Sequence, residues 1–204
     1  MLRNCIMTML IVAAMAVTTS AHAAGTDDAR QFVDSVGKRV LAIVNASGGS
    51  EEQKQKQLQQ MFTENVDMAW MGQFVLGHAW QQATLEQRDR YMQAYRDYLL
   101  ARYTTNFADY TGAKYTITDV KSGEEGQVTV NMQIKAPTQS QDTLAGYRLR
   151  TAGNGQFKII DIIIEGVSLI TTQRSEFAAV VQQGGMDALI SDLVNKTKTR
   201  QHGS

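Results

Sequence analysis

Val128-Thr129-Val130-Asn131-Met132-Gln133-Ile134 alternates apolar and polar residues without a fault, and the fold turns on that alternation. A period of two sends every second side chain to the same face, so this segment reads as a half-buried strand. Toward the amino terminus, Tyr115 and Ile117 keep the same period across a turn at Gly123 to Gly126, which predicts an antiparallel partner. Toward the carboxyl terminus, Leu144, Tyr147 and Leu149 carry the alternation over Asp142 to Arg150. Gly153-Asn154-Gly155 offers a tight hairpin, because Asn and Gly enter positive φ at little cost, and Phe157 to Glu165 makes a fourth strand. That strand is nearly all apolar, which predicts cover on both faces.

The period changes on either side of these strands. From Asp28 to Asn45, Phe32, Val33, Val36, Val40, Leu41, Ile43 and Val44 recur at three- and four-residue steps, as one face of a helix does. Ser47-Gly48-Gly49 breaks it, and Ser50 with Gln53 forms a capping box for a second helix with Leu58, Met61 and Phe62 inward. A short third helix covers Asp67 to Leu76, with Gly77 as its C-cap. Thr84 with Gln87 opens a long helix on which Tyr91, Met92, Tyr95, Tyr98, Leu99, Tyr103 and Phe107 form one stripe, ended by Thr111-Gly112. From Ser175 the pattern is helical again, broken at Gly184-Gly185, with a final helix from Met186 to about Thr197 and a disordered tail over 199–204. Helices, an antiparallel four-stranded meander and helices again predict an α+β fold, with helices packed over one face of a curved sheet.

The first 23 residues read as an export signal. Arg3 supplies the charge, Ile6 to Val17 the apolar stretch, and Ala21-His22-Ala23 a small-x-small cleavage site. The apolar stretch is short for a membrane span. Cys5, the only cysteine, lies within this leader. The expected organisation is a signal peptide over 1–23 and one domain over 24–198.

Composition narrows the chemistry. The chain has 20 Lys+Arg against 20 Asp+Glu, so it lacks the basic surplus that nucleic-acid binding requires. After the leader only His78 and His202 remain, a poor inventory for metal ligation or acid-base work near neutral pH. No glycine pattern cradles a nucleotide phosphate, and no G-x-S-x-G elbow is present. Asp161 and Glu165 share one face of the fourth strand, where pairing with Arg148 or Arg150 on the neighbouring strand is the plain expectation. What remains is a surplus of tyrosine, methionine and aliphatic side chains. A packed core explains it, and so does a cavity with an apolar body and a wet mouth, because tyrosine hydroxyls want polar partners and methionines pack around irregular shapes.

Four stretches carry a resemblance. Asp67-Met68-Ala69-Trp70-Met71-Gly72-Gln73-Phe74-Val75-Leu76-Gly77-His78-Ala79-Trp80 with Ala83 to Arg88 is similar to the helix-joining segment of the MlaC-like, or toluene-tolerance auxiliary, family of periplasmic phospholipid carriers. Ala94-Tyr95-Arg96-Asp97-Tyr98-Leu99 resembles that family's "F-R-D-Y-L" helix. Asp161 to Phe177 resembles its most distinctive signature, and Gly184-Gly185-Met186-Asp187-Ala188-Leu189 its closing "G-G-I-D-A-L". The four occur in the family's order, from about Asp28 to about Lys198. The resemblance implies an NTF2-like arrangement with a deep apolar pocket between helices and sheet, phospholipid as cargo, no cofactor and no catalysis. It implies as partners an inner-membrane ABC transporter complex with its MCE-type substrate-binding subunit, an outer-membrane lipoprotein-porin complex, and a periplasmic role in keeping the outer membrane's lipids asymmetric.

The expected pocket lining follows from that placement. The long helix contributes Tyr95, Tyr98, Leu99 and Tyr103, and the preceding segment Met68, Met71, Phe74 and Val75. The sheet contributes Val130, Met132, Tyr147, Leu149, Ile162 and Ile164, and the signature segment Val167 and Leu169. For the fourth strand the chosen face is the one opposite Asp161 and Glu165, and a one-residue slip would reverse it. Two acyl tails in water would cost on the order of 20 kcal/mol at ~0.8 kcal/mol per methylene, so a carrier needs burial and shape, not acid-base groups. Three alternatives stay open: a hopanoid or other rigid lipid as cargo, an NTF2-like enzyme using Asp161 or Glu165 in the cavity, and a structural adaptor with a filled core.

Overall fold

A computed structural model describes residues 21–105 and 107–202. Most of the expected leader and the end of the expected tail lie outside the described residues. Helix α1 spans Ala21–Val44, α2 Glu51–Asn65, α3 Met68–Leu76, α4 His78–Gln82 and α5 Leu85–Tyr103. A 3-10 turn, Phe107–Tyr110, leads to strands β1 Lys114–Ser122, β2 Val128–Lys135, β3 Thr143–Thr151, β4 Phe157–Ile164 and β5 Val167–Ser168, and α6 spans Leu169–His202. The sheet is antiparallel in the order β1-β2-β3-β4-β5. The fold is therefore α+β, with five strands where the sequence predicts four.

The extra strand comes from a two-residue turn. Glu165 and Gly166 both take positive φ, at 49° and 79°, which reverses the chain at once and sets Val167 opposite Ile164. Backbone and side chain of Glu165 both clasp Leu144: its N–H donates to Leu144 O at 2.9 Å, and its Oε1 accepts from Leu144 N at 2.7 Å. Glu165 thus serves this turn and pairs with no arginine among the described residues.

Helix ends follow local chemistry. Ser50 and Thr84 accept from the backbone of Gln53 and Gln87, whose side chains accept in return, so both expected capping boxes form. Asp67 caps α3 by accepting from Trp70 N at 3.0 Å, and its other oxygen holds Arg150 of β3 at 2.6 Å. Gly77, at φ 52°, ends α3, and the short α4 that follows is absent from the sequence-based expectation. The long α5 stops at Tyr103 and not at Thr111, so Phe107 leaves the tyrosine stripe and joins the separate 3-10 turn. Helix α6 begins at Leu169, well before the expected Ser175, kinks at Gly185 (φ 75°, ψ −174°), and runs past Thr197 to His202.

The helices seal the sheet unevenly. Helix α1 crosses its inner face, with Phe32 against Phe157 and Gly37 so close to the Tyr115 ring that a Cβ there would come within 2.9 Å. The β4 edge is closed at Ile159, which pairs with Val66 and accepts from Asp67 N at 2.8 Å. The β1 edge is blunted by Lys114, Lys121 and an irregularity between Ile117 and Asp119.

Candidate functional site

Register shows which side chains share the inner face of the sheet. One row across the strands runs Val128, Leu149, Ile159, and helices cover all three. The next runs Val120, Val130, Tyr147, Ile162, of which Val130 is sealed and the others are half-buried. The third runs Ile117, Met132, Ala145, Ile164, Val167. Its middle is buried, but Ile164 is 42% exposed and Val167 61%. Cover therefore thins from the closed row toward β5, and the inner face opens as an apolar wedge at the β4–β5 corner.

A bulge gives β4 this shape. Asp161 pairs with Arg148 and Ile159 with Leu149, so Ile160 has no opposite residue on β3 and the alternation changes phase across it. Ile159 and Ile162 then both face inward although they are three apart. Ile159, Ile160 and Asp161 are buried, but Ile164 is not, so the expected cover on both faces holds only for the first part of the strand. Ile162 and Ile164 do fall on the face chosen from sequence, in register with Tyr147 and Ala145.

The sixteen expected lining residues divide three ways. Met68, Met71, Val75, Tyr95, Tyr98, Leu99, Val130, Met132 and Leu149 are brought together in one packed core. Tyr103, Tyr147, Ile162 and Leu169 are half-buried against it. Phe74, Ile164 and Val167 are exposed, and Phe74 is covered from outside by the Arg174 guanidinium, 5.1 Å above its ring.

A second apolar recess of about 880 Å³ lies among the helices, where the sequence offers no expectation. The end of α1, α2, α5, the 3-10 turn and the last turns of α6 form its walls. Val44, Leu58, Ala94, Leu100, Ala101, Phe107, Ala108 and Val194 supply apolar surface, and Glu51, Glu52, Lys54, Lys56, Asp97 and Lys198 supply polar groups. None of the sixteen residues lines it. The spacing of Ala94, Asp97, Ala101 and Thr104 on one side of α5 is the sequence signal for this groove, and it is hidden because small and polar residues do not read as apolar periodicity. Beside it, Phe62 of α2 stacks on Tyr103 of α5 with centroids 6.2 Å apart.

Most polar groups in the interior are fastened to structure, Gln173 Nε2 being buried without a hydrogen-bond partner among the described residues. Tyr91 donates to Gly72 O at 3.0 Å and Tyr95 to Gln173 Oε1 at 2.7 Å, and burial pushes both phenols well above their ordinary range. Asp161 is fully buried. It accepts from Ser168 Oγ at 2.7 Å and from Ile170 N, at the start of α6, at 3.2 Å, with Arg148 at 3.7 Å. A carboxylate at a helix amino terminus is stabilised by the exposed amides there. Asp161 is thus the staple between β4 and α6, on the face away from the wedge, and Glu165 is committed to its turn. Neither candidate carboxylate stands free in the cleft, which removes the acid-base reading. Nine of the sixteen residues do fill a packed core, and open apolar surface is left at the groove and the wedge.

No helix among the described residues is long and apolar enough to cross a membrane. The fold matches that of a phospholipid-binding protein from Ralstonia solanacearum, solved in complex with a phospholipid, at a TM-score of 0.74 over 85% of this chain and 99% of that one, with 23% identity. The intermembrane phospholipid transport system binding protein MlaC of Haemophilus influenzae is 21% identical over 130 residues, 63% of this chain and 61% of that protein's length. The match thus spans less than two thirds of that relative. The family model described as "MlaC protein" matches residues 30–195, nearly the whole described chain. By that match the chain belongs to the MlaC family.

Proposed function

We propose that this chain is a periplasmic carrier that buries the acyl tails of a phospholipid between its helices and the inner face of its sheet. The observation that carries the reading is the wedge: an apolar sheet face left open at Tyr147, Ile162, Ile164 and Val167 in a chain of this family. Soluble domains gain by covering such surface, so a face left open at one end calls for a removable cover. The named function of the Haemophilus relative and the ligand of the Ralstonia structure support phospholipid as that cover. The sixteen residues expected from sequence are the proposed lining, with Tyr147, Ile162, Ile164 and Val167 meeting lipid first and the packed core yielding behind them.

Energetics support the reading, because each methylene kept out of water is worth ~0.8 kcal/mol. Transfer between two membranes through such a pocket is close to an exchange between equals, so direction comes from partners. The proposed partners are an inner-membrane ABC transporter complex with an MCE-type subunit and an outer-membrane lipoprotein-porin complex, and the proposed outcome is outer-membrane lipid asymmetry.

Incubating the protein with vesicles of labelled phospholipid and re-isolating it by gel filtration tests the reading. Label is expected to co-elute with the wild-type protein and to fall at least fivefold with Ile162→Trp, which fills the wedge at its half-open row. Label that stays with the vesicles for the wild-type protein contradicts it.

A further inference from the structure

Tyr147 sits in the middle of β3 with Val130 on one side and Ile162 on the other, both apolar. Burial, with a smaller contribution from Tyr110, pushes the phenol up to about 12. Part of the side chain nevertheless remains accessible. Deep surroundings combined with residual access describe the wall of an interior cleft, not a residue sealed in packing. Tyr91, Tyr95 and Tyr115 each donate to a protein oxygen, whereas the Tyr147 hydroxyl has no hydrogen-bond partner among the described residues. The hydroxyl is not sealed from solvent, so water serves it in the lipid-free protein, and a lipid that displaces this water has to supply the acceptor.

We propose that the Tyr147 hydroxyl is the internal donor to a glycerol-ester carbonyl of the cargo, so that the chain selects ester-linked glycerolipids over ether-linked or ring-based lipids. The proposal rests on the carrier reading above. Position fits it: Tyr147 lies one row, roughly 7 Å along the strand, inside the open Ile164–Val167 row. A glycerol ester lies just below a head group, so a head group at that corner sets its ester level with Tyr147. The phenol stays protonated, and hence a donor, throughout the physiological pH range.

The test offers the protein equal amounts of diester and diether phosphatidylethanolamine with matched tails in vesicles, then weighs the lipid retained after re-isolation. Wild-type protein is expected to hold the diester over the diether by roughly fivefold or more, since a buried donor is left unpaired by the analogue. Tyr147→Phe is expected to hold both alike, at the level of the wild-type diether, and to melt in its lipid-free form no lower than wild type. Equal retention of both lipids by the wild-type protein, or an unchanged preference in Tyr147→Phe, overturns the proposal and leaves the carrier reading standing. Retention of neither lipid by the wild-type protein overturns both.

Discussion

Asp161 shows how far residue identity alone leads. Sequence places it on a strand beside Arg148, and that pair forms, but the carboxylate's stronger partners are Ser168 Oγ and Ile170 N, which lie beyond a turn that no periodicity marks. Asp161→Ala leaves the Ser168 hydroxyl and the Ile170 amide without their acceptor and Arg148 without its carboxylate, and is expected to lower unfolding free energy by roughly 3 kcal/mol in urea titration. The tyrosines make a second prediction. Burial holds Tyr91 and Tyr95 well above the ordinary phenol range, and burial raises Tyr115 to about 12, with the Asp34 hydrogen bond adding to it. Folded phenols that stay neutral while unfolded ones ionise leave stability unchanged below about pH 10. Stability is then lost as pH rises from there through about 12, and tyrosinate absorbance is expected to appear together with unfolding. A gradual appearance of tyrosinate in protein that stays folded would contradict this.

Elements were legible where a cap or a clean period marked them. Both capping boxes stand where Ser50 and Thr84 predict them, and Ser50→Ala and Thr84→Ala are each expected to cost about 1 kcal/mol by urea denaturation. Strands β1 to β4 were readable because alternation survives on a sheet with one buried face. Strand β5 was not, because two residues carry no period and its turn depends on Glu165 holding positive φ, which nothing in the residue's type announces. Bulging at Ile160 was equally silent, since an apolar run looks the same in either phase. The Gly184-Gly185 break is legible, and its cause is conformational: Gly185 sits at φ 75° and ψ −174°, with open space where a side chain would stand. Gly185→Ala is therefore expected to cost about 1–3 kcal/mol through backbone strain alone, seen as a lower urea midpoint with unchanged helical circular dichroism.

At the scale of the molecule, core residues and cleft residues have the same chemistry, and only the extent of helix cover separates them. Nine of the sixteen expected lining residues pack against one another, and the open positions lie where β4 outruns its cover. Sequence could name the apolar face but not its open end. Nor could it reveal the groove along α5, whose walls are small and polar residues spaced around a void. The wedge has an apolar wall that water solvates poorly, and the proposed cover in the working protein is a phospholipid. Native mass spectrometry of the protein, purified without detergent from a phospholipid-containing host, tests this most directly. A population heavier than the bare chain by the mass of one phospholipid is expected, with fragments that identify a glycerophospholipid. Bare chain alone, recovered from several mild preparations and unchanged after incubation with vesicles, would contradict it.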